Sequence, residues 1–322
     1  MKLSGNAIIA KTLAVYGDSL TDKDYDALLR KNSVKSAVAY LKGTKRYGRV
    51  FAGLDDAFMH RGRIELLLRG DVFDIYARLC DFIPVEKGGF RDFALKRAET
   101  ESILVALTFA SIGAYDQIAV YLPEYYHTSF DYISLAGTKS IRKMTDGFRG
   151  TRYYRVLKGI ASLNEDGKPD IEEVSRALYA DYYKWALSCI GKQFSGSELS
   201  ELKAALKRQV VLGDLLAKYR EKAYFSDEAE RLGEKGAADI LREINGKFFK
   251  NKIEIDKDNL EMAIRRNSYD YYRRRMRMSK NPMMVLFAFF GILETERQNV
   301  TTILESIRYS LPPPEIEKLL VI

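Results

Sequence analysis

Apolar residues follow a helical spacing along most of the chain. Residues 6–16 and 33–42 place them at intervals of three and four, which predicts amphipathic helices. A longer apolar run, residues 283–293, is shorter than the roughly 18 residues that a membrane span needs, so we interpret it as a buried helix. Val, Ile and Thr never alternate with polar residues over the length of a strand. The pattern predicts an all-α fold.

One charged pattern occurs three times along the chain. The sequence Ile/Leu-Glu-x-x-x-Arg-x-x-x-x-Asp-x-Tyr occupies residues 64–76, 171–183 and 260–272. An earlier block, residues 24–47, returns as residues 131–154 at the same offset that relates the first two copies. Each unit is longer than a solenoid repeat of about 20 to 50 residues. We therefore expect three tandem, divergent helical domains, with bounds 1–118, 119–222 and 223–322.

The triplicated block has the geometry of a helix. In its first copy Glu65, Arg69 and Tyr76 lie on one stripe, while Asp74 lies on the opposite side. A Glu four residues before an Arg also favours an intrahelical ion pair, which stabilises an exposed helix by about 0.2–0.5 kcal/mol. We interpret the three copies as structural helices rather than as three binding sites.

Gly-Thr pairs follow the predicted helices of the earlier block. Gly43 and Gly150 stand where a helix should end, and we predict the left-handed conformation that glycine tolerates best. Gly137-Thr138-Lys139-Ser140 resembles the end of a phosphate-binding loop but has the wrong order and lacks the upstream glycine. These segments predict turns, and no nucleotide site.

Composition indicates an ordered protein of the cell interior. Hydrophobic residues make up 47% of the 322 residues and charged residues 30%, enough to build cores and cover them. The N-terminus lacks a basic segment followed by an apolar stretch, so we expect no export signal. Cys80 and Cys189 are the only cysteines, and we predict two buried thiols in a reducing compartment.

A short motif raises the possibility of a serine esterase. The sequence Gly-Asp-Ser-Leu-Thr-Asp around Ser19 is similar to the nucleophile block of GDSL esterases. A serine nucleophile needs a base, which that family supplies from a late Asp-x-x-His, but His60 and His127 both lie in the first half of the chain and neither completes it. Thr21 and Asp24 fit a helix capping box instead. We favour the helix start over the esterase.

Metal and cofactor sites are not expected. Two histidines and no paired cysteines leave few ligands for a transition metal. Asp22, Asp24 and Asp26 form an acidic cluster, which suits the first turn of a solvated helix because of the helix macrodipole.

The best candidate for partner binding is a basic run preceded by tyrosines. It consists of Arg273, Arg274, Arg275 and Arg277, after Tyr269, Tyr271 and Tyr272. Arg beside aromatic rings can bind nucleic acid, and the net charge of +8 favours that too. Acidic residues are nearly as numerous and no known nucleic-acid module is present. We prefer a helix stripe that faces an acidic protein partner or anionic lipid headgroups.

An ordered set of blocks resembles a known family. The blocks are the helix at 6–13, Asp24-Tyr25-x-x-Leu28-Leu29, Ser33-Val34, Leu41-x-Gly-Thr44-x-x-Tyr47-Gly48, Asn281-Pro282, Glu294 to Asn299, and Leu311-Pro312-x-x-Glu315-Ile316. Together they are similar to the C-type stalk protein of the archaeal and bacterial A/V-type ATPases, whose counterpart in the eukaryotic vacuolar enzyme is the d-type protein. The likeness covers essentially the whole chain. Departures occur at Tyr153-Tyr154 and at the three prolines 312–314.

The resemblance implies a fold and a role. It implies an all-helical, three-domain funnel with approximate threefold symmetry, which carries no active site. Members of the family act as a socket in the central stalk, between the shaft subunits and the proteolipid ring, and they turn with both during proton or sodium transport. The implied location is the cytoplasmic side of the membrane. A basic helical nucleic-acid-binding protein and the GDSL-type esterase remain as alternatives.

Overall fold

The computed structural model describes residues 5–55, 61–82, 88–122, 129–131, 135, 137–163, 169–224 and 260–322, without the side chains of 214–224 and 260. In these residues the chain forms thirteen α-helices and no strand. The helices are α1 Gly5–Tyr16, α2 Asp22–Leu29, α3 Val34–Lys42, α4 Arg61–Cys80, α5 Phe93–Ser111, α6 Tyr115–Tyr121, α7 Ile141–Gly147, α8 Arg152–Lys158, α9 Ile171–Gln193, α10 Gly196–Tyr224, α11 Leu260–Met278, α12 Pro282–Arg308 and α13 Pro313–Lys318. The predicted all-α fold is confirmed.

Side chains at the helix starts explain several of these bounds. The Thr21 hydroxyl accepts from the Asp24 N–H, and the Asp24 carboxylate accepts from the Thr21 N–H at 2.8 Å, so the predicted capping box at α2 is confirmed. The Ser33 hydroxyl accepts from the Ser36 N–H at the start of α3. These local bonds satisfy N–H groups that have no partner inside the helix.

The two Gly-Thr pairs differ in conformation. Gly150 has φ +84°, so the predicted left-handed turn is confirmed there. At Gly43, which has φ −81°, the prediction was wrong. The chain continues past α3 in right-handed turns, in which the Gly43 N–H donates to Tyr40 O and the Thr44 N–H donates to Leu41 O, so no left-handed residue is required.

All three copies of the charged pattern form helices, namely α4, α9 and α11. The buried positions of α4 and α9, however, correspond at an offset one residue shorter than the offset at which their amino acids are identical. Leu68, Val72, Tyr76 and Cys80 of α4 are buried, as are Val174, Leu178, Tyr182 and Ala186 of α9. Tyr182 is therefore the buried counterpart of Tyr76, whereas Tyr183 is half-buried.

The register change occurs in the turn after the Gly-Thr pairs. Leu28 and Leu135, before the turn, are both buried at the identity offset. Tyr47 and Tyr153, and then Phe51 and Leu157, are buried at the shorter offset. The first copy thus carries one additional residue in this turn. The pattern of buried residues shows which positions of the two helices correspond, because a shift of one residue rotates a helix by about 100°.

The intrahelical ion pair expected in the first copy does not form. Glu65 accepts from Arg61, one turn earlier, at 2.9 Å. Arg69 lies among the residues around Glu294 and Phe290 instead, and its Nε is buried without a hydrogen-bond partner. Packing against α12 therefore determines the conformation of Arg69.

The described helices enclose three apolar clusters. The shared cluster joins α1, the C-terminal halves of α4, α9 and α11, and the N-terminal halves of α10 and α12, together with the start of α5. The first end cluster joins α2, α3, the N-terminal half of α4, the C-terminal half of α12 and α13. The second end cluster joins the C-terminal half of α5 with α6, α7, α8 and the N-terminal half of α9.

The two end clusters follow one plan. Residues Ile103, Ala106, Leu107 and Ala110 of α5 and residues Val300, Ile303, Leu304 and Ile307 of α12 are buried at a constant offset of 197. The pair α5–α6 therefore packs in the second cluster as the pair α12–α13 packs in the first. Each end cluster takes helices from two of the predicted domains, and the domain bounds at 118/119 and 222/223 stay a prediction.

The long apolar run and the cysteines lie in or against the shared cluster. Residues 283–290 of α12 are all buried, which confirms the predicted buried helix. Among the described residues, no helix has the length and apolarity to cross a membrane. Cys80 is buried, and burial raises the pKa of its thiol to about 12. Cys189 is half-buried, so the prediction of two buried thiols was wrong for the second.

Candidate partner-binding site

A buried carboxylate joins α12 to the N-terminal part of the chain. Glu296 accepts from the Tyr47 hydroxyl at 3.0 Å, from Arg46 Nε at 3.0 Å and from the Leu20 N–H at 2.9 Å. Arg46 also forms an ion pair with Asp71 of α4, and its side chain is 3% exposed. Burial raises the pKa of Glu296, and Arg46 opposes that shift. The carboxylate therefore connects α12 to Leu20 and to the turn at residues 46–47, and Arg46 extends the contact to α4.

The second end cluster contains the same contact. Glu99 of α5 accepts from the Tyr153 hydroxyl at 2.6 Å, from the Ser129 N–H at 2.6 Å and from Lys96 Nζ at 2.9 Å. Glu99 and Glu296 are 197 residues apart, the offset that relates the two helices. Arg152, next to Tyr153, forms an ion pair with Asp181 of α9, and Arg46, next to Tyr47, forms one with Asp71 of α4, although the two aspartates are not at equivalent positions.

This contact corrects one residue of the sequence alignment. The identity match pairs Tyr47 with Tyr154, but Tyr154 is half-buried and lies near Arg149 and Lys158. Tyr153 is 1% exposed and makes the bond to the carboxylate, so it is the structural counterpart of Tyr47. Burial raises the pKa of both Tyr47 and Tyr153, which keeps both phenols as donors.

Both cluster helices end in the same exposed turn. The residue after the C-cap has a positive φ in each case, +75° at Gly113 and +58° at Ser310. The next N–H donates to a carbonyl five residues back at 2.9 Å, from residue 114 to Phe109 O and from residue 311 to Ser306 O. The two C-cap residues are Ile112 and Tyr309, which are 68% and 69% exposed.

The exposed turns are the candidate partner-binding site. Large apolar side chains at the surface are common singly, but here two occupy equivalent positions in two clusters of the same design. The buried carboxylates hold α5 and α12 against their clusters and so determine where the turns lie. The segment that follows α10 lies outside the described residues.

The four arginines of the predicted stripe differ in their contacts, and their role in partner binding stays a prediction. Arg273 stacks on Tyr269, and Arg275 stacks on Tyr271 and pairs with Glu201 at 3.3 Å. The side chains of Arg274 and Arg277 are exposed. Successive helical residues point in directions about 100° apart, so Arg275 lies away from the side that Arg273, Arg274 and Arg277 share.

The serine motif has no catalytic geometry in the described residues. Residues 6–16, which precede it, form helix α1 where an esterase needs a strand. Ser19 Oγ is buried and binds no hydrogen-bond partner in this part of the chain. His60 and His127 lie outside the described residues. Ser140 of the predicted turn accepts from the Lys143 N–H and caps α7, as an ordinary helix start.

Neither Glu99, Ile112 nor Tyr309 was identified from the sequence, and Glu296 was identified only as part of a family block. A signal for them was present, because α5 and α12 share aromatic and aliphatic positions at the offset of 197. The shared positions are Phe90 and Phe287, Phe93 and Phe290, Ile103 and Val300, and Leu107 and Leu304. The charged pattern drew attention to α4, α9 and α11 instead.

Comparison with known proteins agrees with the resemblance found in the sequence. The family model described as the ATP synthase (C/AC39) subunit matches residues 8–319. No curated protein matches the chain closely. The match includes both end clusters, both buried carboxylates and both exposed turns. The chain therefore belongs to the ATP synthase (C/AC39) subunit family of the A/V-type rotary ATPases.

Proposed function

We propose that this protein is the non-catalytic coupling component of an A/V-type rotary ATPase, placed between the central shaft and the membrane proteolipid ring. The protein lies on the cytoplasmic side of the membrane and turns with both partners. It so couples ATP chemistry to proton or sodium movement across the membrane. The observation that carries the proposal is the repetition of one cluster, with its buried Tyr–Glu bond and exposed turn, inside a family of ATPase subunits.

The repetition suits a joint that carries torque. Such a joint needs broad contacts and slow dissociation rather than a small chemical site. Bonds from Glu99 and Glu296 span different predicted domains, and both carboxylates are fully or nearly fully buried. We infer that the three predicted domains close around an axis, in the pseudo-threefold funnel that the family resemblance implies. One end of this funnel receives the shaft subunits.

The exposed turns are the surfaces that we assign to the ring. A ring of identical subunits presents the same surface repeatedly around its axis, so a partner with equivalent apolar ends can contact it at equivalent depths. Ile112 and Tyr309 supply such ends. The apolar character of both side chains fits a partner whose exposed loops lie near the membrane surface.

Cysteine cross-linking in the assembled complex tests this proposal. Ile112→Cys and Tyr309→Cys are introduced singly after Cys189→Ser, with buried Cys80 retained. Leu13→Cys, an exposed apolar site on α1, is the matched control. We expect proteolipid adducts from both turns and none from α1. Adducts from one turn only would contradict equivalent ends, and an assembled complex with adducts from neither would show that another face meets the ring.

The exposed arginines keep their predicted role as a contact for an acidic partner or anionic headgroups. We expect Arg274→Glu with Arg277→Glu to weaken assembly, whereas Arg30→Glu with Arg142→Glu, also exposed, does not. Binding of the shaft subunits and of the ring is measured separately at physiological salt. Unchanged assembly of the first variant removes these residues from the proposal.

A further inference from the structure

A cavity of about 590 Å³ lies between α1, the turn at residues 45–49 and α4. Its volume falls within the roughly 300–1,000 Å³ of small-molecule sites. Val15, Ile75, Leu79 and Phe82 supply an apolar surface. The rest of the wall consists of charged side chains. An apolar surface beside charged groups is typical of a site for an amphipathic ligand.

The carboxylates of the cavity wall already have cationic partners. Asp18 pairs with Lys45 at 2.7 Å, Asp71 pairs with Arg46, and Asp81 pairs with Arg91. These pairs neutralise most of the negative charge that a ligand in the cavity would meet. The positive charges that remain available to a ligand are those of the wall cations outside these pairs.

Three such cations line the cavity, namely Lys11, Arg49 and Arg78. Among the described residues, none of them lies within ion-pair distance of a carboxylate. Lys11 Nζ lies 3.2 Å from the centroid of the Phe82 ring, and Arg78 Nε donates to the Asp74 carbonyl oxygen at 3.2 Å. Both side chains are therefore held at the wall.

Two further observations favour an anion. Arg46 also lines the cavity, and its Nη2 is buried without a hydrogen-bond partner. A second cavity of about 600 Å³ shares Arg49, Arg78 and the paired carboxylates Asp71 and Asp81 with the first, so both arginines are reached from both spaces. Asp74 lines that second cavity, and its single carboxylate leaves the unpaired charge of the combined walls positive.

We propose that this cleft binds an organic phosphate, with the phosphate at Arg49 and Arg78 and the apolar part of the ligand against Val15, Leu79 and Phe82. Guanidinium groups suit phosphate because their donors match two of its oxygens at once. The same chemistry is offered by a phospholipid headgroup and by a soluble organic phosphate. The site is separate from the ring and shaft contacts, and neither proposal requires the other.

Calorimetry with the full chain tests the site. Monomeric dihexanoyl phosphatidic acid is the probe, and dihexanoyl phosphatidylcholine and inorganic phosphate are the comparison ligands. Arg49→Gln with Arg78→Gln should weaken binding of the probe about tenfold (about 1.4 kcal/mol), because two exposed ionic contacts are lost together. Arg30→Gln with Arg142→Gln, which removes two exposed arginines elsewhere, should change it less than twofold (about 0.4 kcal/mol).

Several results would overturn the site. One is an unchanged affinity for the probe in the first variant, and another is a phosphatidylcholine affinity equal to that of the probe. A third is an inorganic phosphate affinity equal to that of the probe, which would leave the apolar wall without a role. Circular dichroism of each variant shows whether the fold is intact. If the first variant unfolds, Arg49→Lys with Arg78→Lys replaces it: this pair keeps the charge, loses the bidentate geometry and should still weaken binding.

Two additional measurements separate the sources of the phosphate. Flotation with phosphatidylcholine vesicles that contain phosphatidic acid tests the membrane source, and titration with phenyl phosphate tests the soluble source. Vesicle binding that depends on Arg49 and Arg78 supports a lipid headgroup, and phenyl phosphate binding with the same dependence supports a soluble ligand. Failure of both overturns the proposal, and neither result bears on the cross-links to the ring.

Discussion

The buried Tyr–Glu bonds lead to a prediction that separates structural equivalence from sequence identity. Tyr47→Phe and Tyr153→Phe each remove one hydroxyl that donates to a buried carboxylate, at 3.0 Å and 2.6 Å. A hydrogen bond to a charged group contributes about 1.5–3 kcal/mol to stability. Each variant should lose about that much free energy of unfolding. The loss is limited to one hydrogen bond, because Glu296 and Glu99 keep their other donors. Tyr154→Phe, at the identity-matched position, should lose less than about 0.5 kcal/mol.

Scanning calorimetry measures the effect on the protein as a whole. Unfolding entropy is roughly 2.1 cal/mol/K per residue, or about 0.7 kcal/mol/K for 322 residues. The predicted losses therefore lower Tm by about 2–4 °C in Tyr47→Phe and in Tyr153→Phe. The two bonds lie in different clusters and share no partner, so the double variant should show the sum of the two shifts.

One outcome would refute the reasoning. If Tyr154→Phe lowers Tm as much as Tyr153→Phe, the counterpart of Tyr47 is Tyr154 and the change of register in the turn is wrong. If all three variants match the unmodified protein, the carboxylates do not hold α5 and α12 in place. The exposed turns would then have no fixed position relative to one another.

Other predictions follow from single positions. Gly150→Ala should cost about 1–2 kcal/mol by chemical denaturation, because its φ of +84° strains any residue with a Cβ, and Gly43→Ala at φ −81° should cost less. Gly291→Ala should cost about 1–3 kcal/mol in the same assay, since its Cβ would lie 2.5 Å from the Tyr272 ring; a neutral result would show that the ring moves freely. Burial raises the pKa of Glu296 above 4.5, so the native state keeps a proton that the unfolded state has lost. Stability from this group therefore falls as pH rises above about 4.5. Denaturation at several pH values should show Glu296→Gln gaining on the unmodified protein as pH rises above about 4.5, until the folded-state pKa is passed. A constant difference would contradict the shift.

Local structure was largely predictable because it depends on neighbours in the chain. The spacing of apolar residues predicted α1, α3 and the buried part of α12, and the order Thr-x-x-Asp predicted the capping box at Thr21. Helix starts and amphipathic faces follow from bonds and periods within a few residues. The family resemblance was also visible, since ordered blocks are a property of the sequence.

The candidate site was not predictable in the same way. Helical periodicity did not indicate that Arg273 stacks on Tyr269, or that Arg275 stacks on Tyr271 and pairs with Glu201. The identity of single amino acids does not indicate which side of a helix packs against other parts of the protein. The burial of Glu99 and Glu296 depends on Tyr and cationic partners, most of which lie far away in the sequence, so no local pattern distinguishes them from exposed carboxylates.

By itself the sequence determined that this protein is helical, that it contains a repeated unit and which family it resembles, because these properties are carried by periodicity and by the order of residues. Only the tertiary structure decided that Tyr153 corresponds to Tyr47, that α12 completes the cluster begun by α2 and α3, and that Ile112 and Tyr309 occupy equivalent exposed turns. The physical reason is that burial is a property of contacts between distant segments. A one-residue change in a turn moves every later side chain to another face of its helix without changing the composition of the repeat.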